Sequence, residues 1–537
     1  MGDTNADFHI TGTVHSVRER LKIKERGKAR LFARCLIRIE GISSGPVGLV
    51  FIFNIIVGTG ALTLPAAFAK AGWLLGTISI LFLAFVSFVT ATYVIECMAC
   101  VNALIRWRSI DLPRNRVIVS QFYYDGDELP ASIQADDNAD NYLVPQNLSG
   151  RYYHLDTKVE LGEMATMLFN RAGRMMFYLT MIIYLYGDLS IYSVAISKST
   201  MDVICTYNPY NSTSNNLPSG FPCFSNDSTD NEEHIVLTRF GCYRIVLVCF
   251  MCALGPFVFF NVQKTKYLQM FTTLTRWLAF IVMISLAVRL LTADGGGPKG
   301  NPSAFDMKGI PALFGSCIYS FMCHHSLPGM ITPIRSKKRL GIFLSLDFFL
   351  ITLFYILLAL TGVFAFANLE DLYTLNFIPV HGQGWFMNSL DYFLELFPVF
   401  TLTTTFPVLA ITLRNTIQNM VLDGSRLNQY NLFLRKICFP IVTIIPPVLV
   451  TMFMEDITTL VSFTGSYAGT GIQYLIPTFL VLAARKQCAI LFGPALRNPY
   501  ESPFRHTFWA AFIILWSFTC VILVSLHFLE KNVNKFH

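Results

Sequence analysis

Long apolar runs, separated by shorter polar segments, dominate this chain. Each run holds about 20 residues, which is enough for a helix to cross the hydrocarbon core of a bilayer. The pattern predicts eleven spans, at about residues 47–69, 74–104, 174–204, 240–260, 267–291, 311–331, 341–367, 389–413, 437–454, 458–484 and 507–528. The expected fold class is therefore an all-α polytopic membrane protein.

The polar segments divide the chain into three predicted parts. Residues 1–45 form a basic cytosolic segment, either a solvated tail or an amphipathic helix on the anionic leaflet. Residues 46–484 form the helical core, in which the polar stretch 106–171 is expected to be a long, partly disordered cytosolic loop. Residues 485–537 comprise a cytosolic linker, the eleventh helix and a short tail. The basic segment and the 106–171 loop are candidate sites for cytosolic partners.

The distribution of charge predicts the orientation in the membrane. Lysine and arginine concentrate in alternate loops, whereas residues 368–388 contain neither. The positive-inside rule then places the amino terminus in the cytosol and the carboxyl terminus in the lumen or outside the cell. The loop 207–234 falls on the outer side and carries predicted glycosylation sites at Asn211 and Asn226. Both a plasma membrane and a lysosomal or endosomal membrane fit this pattern.

Composition narrows the functional classes. Hydrophobic residues make up 53% of the chain and charged residues 14%, whereas soluble proteins carry about a quarter charged residues. The net charge of +7 belongs to the loops that set topology, so nucleic-acid binding is not expected. No Walker A, HExxH, GxSxG or kinase motif is present, which leaves no sequence support for an ATP-driven pump or an enzyme.

Three cysteines fall near the predicted outer side of the membrane. Of Cys205, Cys223 and Cys242, any two could be bridged in an oxidising compartment. We favour a disulfide between Cys205 and Cys223.

Two of the predicted spans are interrupted. In the first, Gly58 and Gly60 weaken the helix and Pro65 removes a backbone donor. In the sixth, residues 323–329 combine a cysteine, two histidines and a Pro-Gly pair. Broken helices five spans apart run in opposite directions, as in inverted repeats that bind substrate and ions at mid-membrane. A kink packed through glycine, without any ligand, is the alternative.

Several sequence blocks resemble a known family. Residues 54–73, 320–324 and 406–414 are similar to the amino acid/auxin permeases. Longer blocks resemble the transmembrane protein 104 family within that group, at residues 184–189, 262–269, 373–377, 465–474 and 502–509. The resemblance implies ten helices in a 5+5 inverted-repeat (LeuT-like) core plus an eleventh helix. It implies no settled substrate.

The backbone of the first span is the first candidate binding element. Its loosened amides are suited to a substrate carboxylate at the start of the second half-helix, and its carbonyls to a cation. The substrate-binding candidates here are Asn54, Val57, Gly58, Thr59, Gly60 and Ala61.

Side chains within the third and sixth spans complete the predicted site. Asp188 is the main proton or cation candidate, because an acid in an apolar helix faces a cavity or a structural partner. His324 or His325 could also take part in ion coupling, since one of two adjacent imidazoles can line the site while the other points about 100° away. A histidine bonded to a neighbouring carbonyl is the structural alternative. The further substrate-binding candidates are Tyr184, Tyr319, Cys323 and His324.

Hydroxyl groups in the eighth span are candidate sodium ligands. Thr403 and Thr404 lie at mid-span, where the related fold implies that they coordinate Na⁺ together with first-helix carbonyls. Threonines in helices also bond back to their own carbonyls, which is the alternative.

These features together predict a secondary active transporter of a small amino acid, coupled to H⁺ or Na⁺ by alternating access. The expected partners are the amino acid and the lipid bilayer, with no cofactor or resident metal beyond the coupling ion. A non-transporting amino-acid sensor or scaffold is the first alternative, because of the long cytosolic loop. A transition-metal carrier is less favoured, since the first span offers glycine and threonine instead of an acidic ligand.

Overall fold

Helices make up almost all of the protein that the computed structural model describes. The described residues are 56–125, 152–205, 220–224, 237–259, 266–293, 299–332, 334, 337–377, 384–422, 437–493 and 496–536. Asn54, Asn211, Asn226 and the basic segment 1–45 lie outside them, so the predictions made there stay predictions.

The apolar runs of the sequence fold into helices, some of which extend well beyond the predicted bounds and some of which are divided. In chain order they are α1 (Thr59–Ala71), α2 (Trp73–Asp125), α3 (Leu161–Leu168), α4 (Arg171–Ile204), α5 (Arg239–Leu254), α6 (Lys266–Thr292), α7 (Ile310–Ser320), α8 (Leu327–Ile331), α9 (Leu340–Ala365), α10 (Trp385–Val421), α11 (Phe439–Phe453), α12 (Ile457–Thr464), α13 (Ile476–Phe492) and α14 (Thr507–Phe536).

Among the described residues, eight continuous helical stretches are long and apolar enough to cross a membrane. Two of them join neighbouring elements: Arg239–Phe259 extends α5, and Ile457–Phe492 runs from α12 through α13. The three remaining predicted spans are the two interrupted ones and α11, which has 15 residues. The polytopic, all-helical character is therefore confirmed for the described residues. The count of eleven and the inverted repeat stay predictions.

Charged side chains join the ends of helices that the charge pattern assigns to one side of the membrane. At one side, Lys70 lies 3.3 Å from Asp371, and Arg239 pairs with Asp202. At the other, Arg485 within α13 binds Glu96 on α2 at 2.7 Å. In the predicted topology, in which successive spans cross the membrane in opposite directions, the two members of each pair lie towards the same side.

Both ends of the predicted loop over residues 106–171 are structured, while residues 126–151 lie outside the described residues, so the partly disordered loop stays a prediction there. Helix α2 continues to Asp125, and residues 152–168 pack against the bundle. Asn102 on α2 donates to the carbonyl oxygens of His154 and Thr157, at 2.9 and 3.1 Å. The low average hydrophobicity of the stretch concealed its buried apolar side chains, which are Tyr153, Leu155, Val159, Leu161, Met164, Ala165 and Leu168.

The tenth predicted span is a helix interrupted by wider turns. Between α12 and α13 the backbone forms π-helical turns at Gly465–Gly469 and Gly471–Leu475. A Cβ added to Gly465 would lie 2.1 Å from the carbonyl oxygen of Gly315 on α7. The two backbones therefore touch, which only glycine permits, and this contact positions the interrupted sixth span.

Candidate functional site

The first interruption lies just before α1. Val57 and Gly58 are not helical, and Gly58 is extended, with φ −122° and ψ −151°. A Cβ added to Gly58 would meet nothing within 4 Å, so open space adjoins this residue. Gly58 is thus a point at the start of α1 where a side chain could be added without a contact, while its neighbours Val57 and Thr59 are buried.

The second interruption separates α7 from α8. Helix α7 ends at Ser320, residues 321–326 form turns, and α8 restarts with Pro328 in its first turn. A Cβ added to Gly60 would lie 2.6 Å from the Cα of Ser320. The two broken helices therefore meet at their interruptions, as the sequence predicts.

Carbonyl oxygens at the interruptions are bonded by two side chains that sequence reasoning missed. Arg276 on α6 donates through Nη1 to the Val57 carbonyl oxygen at 2.7 Å. Tyr355 on α9 donates to the carbonyl oxygens of Ile56 and Ser320, at 3.1 and 3.0 Å. An arginine inside an apolar span was the available signal, since such residues find a partner or a function. The Arg276 guanidinium thus occupies one of the first-span carbonyl oxygens at which a cation was predicted, and the prediction of a bound cation stays a prediction.

Three predicted site residues from three spans form one hydrogen-bonded chain. Thr59 Oγ1 on α1 lies 3.2 Å from the hydroxyl of Tyr319 on α7, and that hydroxyl donates to the Asp188 carboxylate on α4. All three side chains are buried. A carboxylate held in this way by a hydroxyl can accept or release a proton with little movement of its neighbours.

Tyr184 and His325 extend the chain of contacts. The Tyr184 ring centroid lies 6.5 Å from that of Tyr319 and 5.7 Å from that of His325. Together, Thr59, Tyr184, Asp188, Tyr319 and His325 form what we call the central cluster. It combines an acid, an imidazole and aromatic faces beside the start of α1.

His324 lies outside the central cluster. Its Nε2 is 2.9 Å from the Thr90 hydroxyl and 3.2 Å from the Ser87 carbonyl oxygen, both on α2. The ring is fully buried, and its neighbour Cys323 is 1% exposed. The two adjacent imidazoles therefore face different helices, and the geometry at His324 is the structural alternative that the sequence left open.

The threonines of α10 bond mainly to their own helix. Thr404 donates to the Thr401 carbonyl oxygen at 2.8 Å, and Thr405 to the same oxygen at 3.2 Å. Thr403 is half-buried in the same turn. Tyr192 on α4 lies between Thr405 and Thr59 and so joins α10 to α1. This local bonding is the alternative to sodium ligation, although it leaves hydroxyl lone pairs unused.

Cys205 and Cys223 are joined by a disulfide. Cys242 is a free, buried thiol beside them. Among the described residues, these three cysteines are the group whose side chains lie close enough together to hold a metal ion. Two of them are already bonded to each other.

A separate cavity of about 340 Å³ lies at the far end of α1. Asp371 stands beside it, 3.3 Å from the Lys70 ammonium, and accepts a hydrogen bond from Thr458 at 2.6 Å. Burial acts to raise the pKa of Asp371, but Lys70, Lys198 and the Thr458 hydroxyl outweigh it and hold that pKa below its usual value. The cavity lining includes Lys70, Lys308, Gly309, Pro311, Asp456 and Phe528. Its two lysines and one acid suit a small anion or zwitterion.

The sequence matches a known family over most of its length. The profile described as "Transmembrane amino acid transporter protein" covers residues 43–107 and 151–523. "Transmembrane protein 104 homolog" of Drosophila melanogaster is 48% identical over 497 residues, covering 90% of this chain and 97% of the relative. "Transmembrane protein 104" of Homo sapiens is 44% identical over 487 residues, covering 90% and 96%. The Dictyostelium discoideum homolog is 32% identical over 517 residues, covering 90% and 96%. The chain belongs to the transmembrane protein 104 family, within the transmembrane amino acid transporter proteins.

Proposed function

We propose that this protein is a secondary active transporter of a small amino acid, driven by protons through alternating access. One observation carries the proposal: the Thr59–Tyr319–Asp188 chain crosses the point where two interrupted helices meet. Membership of an amino acid transporter family supports the substrate class. Interrupted helices at mid-membrane are the usual place for substrate and ion binding in such carriers.

The start of α1 supports the binding of a carboxylate. Its first amides are at the positive end of a 13-residue helix, and the open space beside Gly58 lies at the same point. The substrate ammonium then faces the central cluster, where the face of the Tyr184 ring attracts a cation. A zwitterion thus meets complementary groups at both ends.

The contacts at Val57 favour a proton over sodium as the coupling ion. The guanidinium of Arg276 already bonds the Val57 carbonyl oxygen, and the α10 threonines donate to their own helix. A fixed guanidinium opposes the entry of a second cation at the same oxygen. Asp188, bonded to a hydroxyl that can either donate or accept, supports proton exchange at this position.

Uptake into proteoliposomes tests the proposal. Purified protein is reconstituted into liposomes with the same pH inside and outside. Uptake of labelled neutral amino acids is then measured under three conditions: with an imposed pH gradient, with an imposed sodium gradient, and with no gradient. We expect accumulation above equilibrium only with the pH gradient, and its loss on addition of a protonophore. Saturable binding without uptake would instead favour the sensor, and uptake driven by sodium alone would refute proton coupling.

A further inference from the structure

Three cysteines meet where α4 ends and α5 begins. Cys205 directly follows α4, Cys242 lies in the first turns of α5, and Cys223 lies in the segment between the two helices. Their sulfur atoms all lie within 4.8 Å of one another, and all three side chains are buried. We call Cys205, Cys223 and Cys242 the three-cysteine cluster. In this cluster the disulfide joins Cys205 to Cys223, while Cys242 is a thiol.

Backbone hydrogen bonds hold Cys223 beside α5. The Cys223 amide donates to the Leu237 carbonyl oxygen at 2.8 Å, and the Arg239 amide donates to the Phe221 carbonyl oxygen at 2.9 Å. These two bonds surround an isolated antiparallel bridge between Pro222 and Thr238. The position of the disulfide next to α5 is therefore fixed by the backbone as well as by the sulfur bond.

A buried ion pair holds the other two cysteines together. Asp202 precedes Cys205 by three residues, and Arg239 precedes Cys242 by three residues. The pair they form is almost fully buried, with side-chain exposures of 3% and 6%. Residues three apart lie on one face of a helix, so the pair aligns the cysteine positions of α4 and α5 with each other.

We propose that the three-cysteine cluster is a thiol–disulfide exchange site. The Cys242 sulfur attacks the Cys205 sulfur, a Cys205–Cys242 bond forms and the Cys205–Cys223 bond breaks. Cys223 leaves as a thiolate and takes up the proton that Cys242 released. One disulfide and one thiol are present before and after the reaction, so neither an oxidant nor a reductant is required.

Exchange changes which parts of the protein are covalently joined. In the first form, the disulfide ties the end of α4 to the segment that precedes α5. In the second, it ties α4 directly to α5 and releases Cys223. Because α4 carries Asp188 of the central cluster, the second form restrains a helix that alternating access would have to move.

Disulfide mapping of the full-length protein tests the proposal. The protein is purified without reductant, incubated at pH 6.5 or 8.5, quenched with acid, labelled with a thiol reagent under denaturing conditions and analysed by mass spectrometry. We expect a Cys205–Cys242 linked peptide together with a labelled Cys223. Its rate of formation rises about tenfold per pH unit while the thiol is mostly protonated, because the thiolate is the attacking species.

Two variants separate exchange from simple reduction. Cys242→Ser removes the attacking sulfur and leaves the ion pair, so labelling of Cys223 disappears. Cys520→Ser changes a buried free cysteine on α14 and leaves labelling of Cys223 as in the unaltered protein. The proposal is overturned if the unaltered protein labels only Cys242 at both pH values, or if Cys223 pairs with Cys242 and Cys205 is released. Mapping of the unaltered protein decides the question even if Cys242→Ser does not fold.

Discussion

At the scale of single residues, two adjacent histidines have different surroundings. His324 is buried against α2 and bonded through Nε2 to Thr90, whereas His325 is half-buried beside the Tyr184 ring. The pattern of residues could not separate them, because the direction of each ring depends on the turns at residues 321–326. The packing assigns His324 to stability and His325 to the central cluster.

Alanine substitutions distinguish these two roles. His324→Ala removes a fully buried ring together with its hydrogen bond to Thr90 and leaves a cavity, so we expect a loss of about 1–3 kcal/mol in stability and a lower Tm. His325→Ala removes the imidazole of the central cluster, so we expect an unchanged Tm and a KM for uptake raised about tenfold. Thermal unfolding in detergent and initial uptake rates measure the two effects. Equal losses of Tm from both variants, with equal KM values, would contradict the assignment.

At the scale of elements, the two glycines of the first interruption serve different purposes. Gly58 adjoins open space, whereas Gly60 lies against the backbone of α7 at Ser320. One glycine therefore leaves room for a ligand, and the other allows two broken helices to approach.

Matched alanine variants test this difference. Gly60→Ala places a Cβ 2.6 Å from the Ser320 Cα, so we expect a loss of about 1–3 kcal/mol from overpacking. Gly58→Ala meets no atom within 4 Å and should change stability by less than about 0.5 kcal/mol. Gly58→Leu fills the open space, so we expect a stable protein without uptake. The interpretation is wrong if Gly60→Ala is tolerated or if Gly58→Leu still transports.

The segment before α3 is joined to the turn that precedes α9 by an ion pair. Lys337 donates to Asp156, and this hydrogen bond lowers the pKa of Asp156 below 3.8. A carboxyl group with a lowered pKa stabilises the folded form above its ordinary pKa, and that contribution is lost only as the pH falls through the lowered value. The stabilisation from the Lys337–Asp156 ion pair should therefore be constant between about pH 5 and pH 8.

Hydrogen exchange of residues 152–160 measures the strength of this ion pair. Asp156→Asn should accelerate exchange in the segment to a similar extent at pH 5 and pH 8, after correction for the intrinsic rate. Lys158→Ala breaks an exposed pair with Glu160 and serves as the matched control, with little expected effect. If residues 152–160 of the unaltered protein already exchange faster at pH 5 than at pH 8 after the same correction, the ion pair of Asp156 does not stabilise the segment.

The interruptions were predictable from local chemistry, and the contacts that complete them were not. The breaks at Gly58 and at residues 321–326 lie where glycine and polar residues interrupt the apolar pattern, whereas Pro65 lies inside α1 and does not break it. The bonds from Arg276 and Tyr355 join spans far apart in the chain, and one sequence contains no record of such pairs. The order within residues 152–168 was missed because scattered buried side chains do not raise average hydrophobicity.

At the scale of the whole molecule, the fold depends on close contacts between interrupted helices. Helix α1 meets α7 at Gly60, α7 meets α12 at Gly315, and α4 meets α12 at Gly187, where an added Cβ would lie 2.2 Å from Thr464 Oγ1. Hydropathy alone predicted the all-helical class and the approximate positions of the spans. The central cluster arises only when three of those spans are brought together.

The central claim is that Asp188 couples proton movement to amino acid movement. The most direct test compares the unaltered protein with Asp188→Asn in proteoliposomes, measuring both accumulation driven by a pH gradient and exchange of labelled for unlabelled amino acid. The amide keeps the shape of the side chain and its bond with Tyr319 but cannot change charge. We predict that Asp188→Asn still exchanges amino acid across the membrane and no longer accumulates it. Accumulation by Asp188→Asn equal to that of the unaltered protein would contradict the account.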